Sequence, residues 1–300
     1  MNPMVKDARA RSSFNKGAFN WFPVFLLHGI VAWSYYSYVV VMCIKTVEND
    51  TERIIYLVLY HLFLLIFLAT YWKAILSKAG NPPEAFAMSG DQYLSYKNSG
   101  FNQSFLDSVA LEVTLLTRTI NGGRRFCRLC QALKPDRSHH CSSCGQCILK
   151  MDHHCPWVNN CVGWGNHKYF ILFLWYSSMY TLYCSVTVLK YFIMFWTGDI
   201  MQEDKNLNLP ILFFTAVIFT GCLWALFGFH ITLVVGNRTT LEHSRPAIFQ
   251  HGPDKFGFFI GPMANIQQVF GHVKWKWFLP IFTTPGNGTF FPMRGGHHMV

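Results

Sequence analysis

The sequence predicts an all-α polytopic membrane protein: a four-transmembrane-helix bundle carrying a small cytosolic Cys-rich domain with two zinc sites. Three observations predict it. Four long runs are apolar, one dense Cys/His block repeats its own spacing, and the segments between the runs alternate in charge. Only 13% of the 300 residues are charged, against about 25% in soluble domains. The net charge of +10 admits nucleic acid, a membrane surface or acidic ligands as partners, and the apolar runs decide among them.

The runs cover residues 21–44, 54–76, 169–196 and 210–236, each long enough for the ~20 apolar residues that cross a bilayer core. Lys73 and Lys190 are the charges inside them and lie near span ends, where they can snorkel. His28, His61 and His230 read as neutral bundle residues, and Cys43, Cys184 and Cys222 as small buried hydrophobes. The first run is too long for a cleaved signal and no small-residue cleavage site follows it, so it reads as an anchor.

The flanks orient the spans. Residues 1–20 (Lys6, Arg9, Arg11 and Lys16 against Asp7) carry a net +3, loop 45–53 a net −1, segment 77–168 a net +4, loop 198–209 (Lys205 against Asp199, Glu203 and Asp204) a net −2 and tail 237–300 a net +4. Positive flanks stay cytosolic, which places both termini and segment 77–168 there. The chain then divides into an N-terminus 1–20, a helix pair 21–76, a linker 77–126, the Cys-rich domain 127–168, a second helix pair 169–236 and a C-terminal segment 237–300.

Seven of the ten cysteines lie between Cys127 and Cys161. In a reducing compartment such a block indicates metal rather than disulfides. It reads Cys127-x2-Cys130-x9-His140-x6-Cys147, and from Cys141 the same spacing gives Cys141-x2-Cys144-x9-His154-x6-Cys161, fourteen residues on. Each copy supplies three sulfurs and one imidazole, a closed set for a structural Zn²⁺. An all-sulfur set from Cys127, Cys130, Cys141 and Cys144 remains an alternative. Cys155 is left over. A third copy starting there would need Cys at 158, which is Val158.

The leftover thiol follows Asp152, His153 and zinc ligand His154. His153 can take its proton or form an ion pair with it, and Asp152 can orient the imidazole. Tyr169, where the third span starts, is 14 residues after Cys155. A thiolate tethered so near the headgroups suits a lipid-linked electrophile. A fatty acyl-CoA fits, because its chain can enter apolar space between helices while its phosphates stay at the basic face. Thioester exchange is nearly isoenergetic and needs no energy source.

Asp152-His153-His154-Cys155 within Cys-rich repeats, followed by Pro156-Trp157-Val158-Asn159-Asn160-Cys161, resembles the DHHC-type protein S-acyltransferases, the palmitoyltransferases. The resemblance covers nearly the whole chain. Thr239-Thr240-Leu241-Glu242 matches that family's TTxE motif, and Asn265 matches its C-terminal element. Trp33-Ser34-Tyr35-Tyr36 resembles the first span of the broad-range subgroup found at Golgi and plasma membrane.

The resemblance implies roles. Cys155 is the autoacylated nucleophile, His153 the base and Asp152 its orienter. Trp157 lies near the thioester carbonyl, Ser34 and Tyr180 close the acyl cavity, and Lys134, Arg137 and His139 meet the CoA phosphates. The two Zn²⁺ are structural, and palmitoyl-CoA is the donor in a two-step ping-pong. The expected partners are acyl-CoA, the bilayer and membrane-associated proteins bearing cysteines, with no nucleic acid. It also implies a multi-pass protein of the Golgi, another endomembrane or the plasma membrane. The sequence departs from the subgroup pattern at Trp164-Gly165-Asn166-His167. The rival readings are a non-catalytic zinc-folded membrane scaffold, a RING-type ligase and a channel. A ligase needs a further CxxC pair after Cys161 and a channel needs mid-span charges, and the sequence has neither.

Overall fold

The computed structural model describes residues 18–110, 113, 115–198 and 206–295. The N-terminal charges Lys6, Asp7, Arg9, Arg11 and Lys16, the loop charges Asp199, Glu203, Asp204 and Lys205, and residues 296–300 lie outside the described residues. The described residues form two compact units, one drawn from residues 21–75 and 169–231 and the other from residues 18–20, 76–168 and 232–295.

The first unit is the helix bundle. Helix α1 runs Phe22–Tyr35 and continues without a break as a π-helix, Tyr36–Thr46. Helices α2 (Asp50–Leu76), α3 (His167–Thr197) and α4 (Asn208–Val235) follow. All four are long and apolar enough to cross a membrane. Of the apolar stretch of α3, 61% is buried, against 11% for α4, so α3 is the central helix of the bundle. The outward residues of the others are large and apolar, as Leu62, Leu65, Ile218 and Phe214 show. A water-soluble surface does not carry such area, and hydrocarbon does not penalise it.

Polar side chains in the bundle bond inward or to the preceding turn. The Nδ1 atoms of His28 and His61 lie 2.8 and 2.7 Å from the carbonyls of Val24 and Leu57, and His230 packs edge-on to Phe170. Helix α2 starts four residues before the predicted run, which brings Glu52 into its first turn. There Glu52 accepts from Lys190 Nζ at 2.8 Å and from the Tyr191 hydroxyl at 3.1 Å. Lys190 therefore pairs rather than simply snorkelling. Arg53 donates to the carbonyls of Cys43 and Val47, capping the end of the π-helix. Cys43 and Cys184 are buried as expected, but Cys222 is exposed on α4, which presents almost all of its surface outward.

In the second unit the linker folds, although its sequence matches no motif. Ser89 and Gln92 form a reciprocal capping box on the helix Gly90–Asn98, and Asn102 caps Gln103–Val109. These helices bury Phe86, Tyr96, Leu106 and Leu115 against Leu133. Arg124 pairs with Asp107 inside the linker, and Arg125, which donates to Thr117 Oγ1 and Ser138 O, fastens the linker to the Cys-rich domain.

That domain is three antiparallel hairpins in tandem: β1 (Phe126–Cys127) with β2 (Ala132–Leu133), β3 (His139–Cys141) with β4 (Gln146–Ile148), and β5 (His153–Cys155) with β6 (Asn160–Val162). Register explains the spacing. His140 lies opposite Cys147 and His154 opposite Cys161, so each x6 interval is one hairpin and the fourteen-residue period is the hairpin repeat. The residues that close the three turns, Gln131, Gly145 and Asn159, all have left-handed φ (51°, 65° and 44°). The third turn thus keeps the shape of a metal knuckle, with Val158 buried where the second sulfur would stand. The tail adds the helix Thr240–Ser244, the hairpin β7 (Ala247–Phe249) with β8 (Gly252–Asp254) and the helix Pro262–Phe270.

Candidate active site

Two four-residue clusters gather in the hairpins: Cys127, Cys130, His140 and Cys147, and Cys141, Cys144, His154 and Cys161. The donor atoms of each lie within 4.8 Å of one another. His140 Nδ1 is 3.5 and 3.3 Å from the sulfurs of Cys127 and Cys130. His154 Nδ1 is 3.7, 3.5 and 3.6 Å from those of Cys141, Cys144 and Cys161. Zn–S and Zn–N bonds of about 2.3 and 2.0 Å at tetrahedral angles require edges of about 3.5–3.8 Å. Both clusters therefore fit zinc, and the all-sulfur alternative is not the grouping the fold makes.

Cys155 belongs to neither cluster. It ends β5, opposite Asn160, and is 7% exposed. The Cys155 thiol acts on the His153 imidazole two residues before it, while His153 Nδ1 lies 2.6 Å from Asp152 Oδ2. Burial pulls the imidazole pKa down, but the Asp152 and Cys155 hydrogen bonds outweigh it and hold it at about 9. Asp152 is fully buried and held in turn. The Thr240 N–H donates to its Oδ1 at 2.8 Å and the Thr240 hydroxyl to its Oδ2 at 2.7 Å. The three side chains form a relay of thiol, imidazole and carboxylate, with Trp157 exposed beside it.

Thr240 is fixed from behind. Thr239 and Glu242 make a capping box on the helix Thr240–Ser244. Arg137 grips Glu242 with Nε at 2.8 Å and with a second nitrogen at 2.7 Å, and donates to the Asn237 side chain and carbonyl, both at 2.8 Å. Its guanidinium plane lies over the rings of Phe258 and Phe291. Arg137 is 2% exposed, so the geometry makes it a clasp that has no face left for a phosphate.

The other two residues expected at phosphate, Lys134 and His139, are half-buried. Burial and the Arg125 charge hold the His139 pKa down to about 4, so it meets neutral pH uncharged. Ser34 and Tyr180 meet in the bundle. Their hydroxyls are 3.0 Å apart, and Tyr60 extends the chain at 2.8 Å from Tyr180. Asn265 donates to the Val235 carbonyl at 2.7 Å and accepts from Ile260 N–H at 3.0 Å, which caps the end of α4.

Several residues of the site had no sequence expectation. Asp136 is fully buried and accepts from the N–H groups of Leu116 and Thr117 and the Thr117 hydroxyl. Lys150 is buried with its ammonium 5.6 Å from the Phe291 ring centre, and burial and Arg137 draw its pKa down to about 7. The one available signal was polar residues inside a metal-folded block, which is too unspecific to assign partners.

Residues 120–246 match the family model described as DHHC palmitoyltransferase. The chain is 48% identical over 275 residues to palmitoyltransferase ZDHHC2 of Danio rerio, covering 91% of this chain and 76% of that protein. It is 47% identical over 278 residues to palmitoyltransferase ZDHHC20-A of Danio rerio, covering 92% and 78%. It is 45% identical over 278 residues to palmitoyltransferase ZDHHC15 of Rattus norvegicus, covering 92% and 82%.

Proposed function

Because the chain belongs to the DHHC palmitoyltransferase family and is a protein S-acyltransferase, we propose that Cys155 carries the acyl group, with His153 as its base and Asp152 as the orienter. The supporting observation is a thiol outside both metal clusters, two residues from an imidazole that it helps to keep protonated and that a buried carboxylate holds. The donor is a long-chain acyl-CoA such as palmitoyl-CoA. With its pKa held at about 9, His153 already carries the thiol proton as an imidazolium beside the Cys155 thiolate, whose Sγ bonds to the thioester carbonyl carbon. The carbon–sulfur bond to CoA breaks and the CoA sulfur receives that proton. In the second step a substrate cysteine gives its proton to His153 and attacks the acyl-Cys155 carbonyl, which releases Cys155. The two Zn²⁺ hold the hairpins and take no part in either step.

Labelled palmitoyl-CoA is expected to leave one hydroxylamine-labile acyl group per chain, on the peptide containing Cys155. Cys155→Ala should remove it. Asp152→Asn, which keeps the shape of the side chain, should slow labelling by two to four orders of magnitude, the range over which tautomer control acts in such relays, about 10⁴ at its upper end. Label retained in Cys155→Ala sinks the assignment.

Ser34 and Tyr180 close the far end of the acyl space, supported by their hydroxyl contact at 3.0 Å. Tyr180→Ala opens that end, and each added CH₂ then gains about 0.8 kcal/mol of burial, roughly fourfold in affinity. The preferred chain should lengthen, read by competition between acyl-CoAs of sixteen and more carbons (~C16 to ~C20). An unchanged preference removes Tyr180 from the cavity. Lys134 and His139 meet the CoA phosphates, the latter as a neutral donor, and Arg137 acts as a strut. Both termini and the zinc domain face the cytosol of a Golgi, other endomembrane or plasma membrane, which the positive flanks support.

A further inference from the structure

We propose that the segment 272–282 is a membrane-surface anchor that inserts its aromatic side chains among anionic phospholipids. The segment includes a one-and-a-half-turn 3₁₀ helix, Lys274–Phe278, of sequence Lys-Trp-Lys-Trp-Phe. Its apolar side chains face outward: Trp275 is 67% exposed and Phe278 56%, with Ile281 and Phe282 beside them. A patch of this kind on a water-facing domain marks an interaction site.

What it faces follows from how it is held. Lys168, the second residue of α3, donates from Nζ to the carbonyls of Lys276 and Ile281 at 2.8 and 3.0 Å and to the Thr283 hydroxyl at 2.8 Å. Two of the three ammonium protons go to this segment and the third to Thr283, the residue that follows it. Helix α3 is a membrane span that starts at His167, so Lys168 lies where the chain enters the headgroup layer. The segment is bound to that level by one lysine side chain. The Trp277 indole N–H bonds to Gly271 O at 2.8 Å and Phe282 packs on Trp164, so the presentation is fixed rather than a loose tail.

The chemistry then selects the lipid. Tryptophan prefers the bilayer interface. Lys274 is exposed and Lys276 half-exposed, its ammonium 5.3 Å from the Trp275 ring centre. The sequence has no Asp or Glu between residue 255 and its end, so this part of the chain adds no negative charge of its own. A lysine near such a surface changes association by about fivefold, and the pair should change occupancy of the inserted state by about 30-fold. Acyl transfer is not needed for this reading, which rests only on α3 spanning the membrane.

The test uses the full chain in nanodiscs, one molecule per disc, with benzoylphenylalanine installed at position 275. Illumination should give phospholipid adducts, and hydrogen exchange across 272–282 should slow when phosphatidylserine replaces part of a phosphatidylcholine disc. The pair Lys274→Glu and Lys276→Glu should abolish that dependence while the zinc content and Cys155 labelling show the protein folded. Three results overturn the proposal: no lipid adduct, adducts only to a second copy in larger discs, or equal exchange in neutral and anionic lipid. A response to phosphoinositide but not to phosphatidylserine at equal charge also overturns it, in favour of a single-headgroup site. Cys155 labelling is read separately, so failure of the anchor and failure of the acyl-enzyme assignment are distinguishable.

Discussion

Stripping the metal is expected to unfold residues 127–162 while the four long helices persist. The three hairpins have ladders of two or three residues, and an isolated two-stranded hairpin is marginal in water even when longer. The apolar cluster beneath them consists of Ala79, Cys141, Cys144, Ile148, Met151 and Cys161. Half of it is the sulfur side of the second metal cluster, so the core and the metal site are the same atoms. Structural zinc contributes about 10–16 kcal/mol in small zinc-folded peptides, as much as the whole stability of a typical domain. Removal leaves the hairpins with no staple.

Full-length protein in detergent should contain two zinc ions per chain, one for each cluster. Chelation should bring amide exchange across 127–162 to unfolded rates, abolish Cys155 labelling and leave far-ultraviolet helical dichroism nearly unchanged. Cys141→Ala should break the second cluster and the relay with it, since His154 lies between His153 and Cys155 in the chain. A protected 127–162 segment in metal-free protein, or a holoprotein with one ion or none, would overturn this account.

The parts of this molecule legible in its sequence are those whose chemistry is local. Bilayer hydrocarbon demands an unbroken apolar run, so each span announces itself. The zinc ligands are legible because a hairpin brings His140 to Cys147 within one turn of chain, and the same arithmetic isolates Cys155 through Val158. The supports of the relay and the hold on the C-terminal segment are distant instead. Thr240 reaches Asp152 across 88 residues, Arg137 reaches Glu242 across 105 and Lys168 reaches Lys276 across 108. Single long-range polar pairs have no period and leave no pattern. The assignment of Arg137 to phosphate shows the consequence, since a basic residue near a basic face looks the same in sequence whether it is exposed or wholly enclosed. The linker is a different case. Ser89-Gly90-Asp91-Gln92 carries the capping-box spacing that starts its helix, but the apolar period after it is too short to stand out.

Arg137→Ala and Glu242→Ala are each expected to cost about 3–5 kcal/mol, because either one strands a buried charge. Both side chains are enclosed, at 0% and 9% exposure, so solvent cannot relieve the survivor. Replacing both should cost less than the sum of the single changes. The damage should reach catalysis by a defined route. Glu242 accepts from Thr239 N–H at 2.9 Å and the Thr239 hydroxyl accepts from Glu242 N–H at 3.1 Å. That box sets the Thr240 N–H and hydroxyl on Asp152. Glu242→Gln keeps an acceptor for Thr239 but removes the charge, so it separates positioning from electrostatics. Acid supplies the second readout. Burial pushes the Glu242 carboxyl up, but the Arg137 charge and its hydrogen bonds outweigh this and hold it below its ordinary 4.5. A depressed carboxylate stabilises fully above its unfolded value and loses that contribution as pH falls through the folded one. Wild type should therefore lose stability more steeply than Glu242→Gln below pH ~4.5. Metal release in acid is common to both proteins, so the difference between their curves isolates Glu242. Parallel curves, or a single Arg137→Ala change that leaves both melting and labelling rate intact, would remove the clasp from the support of Asp152.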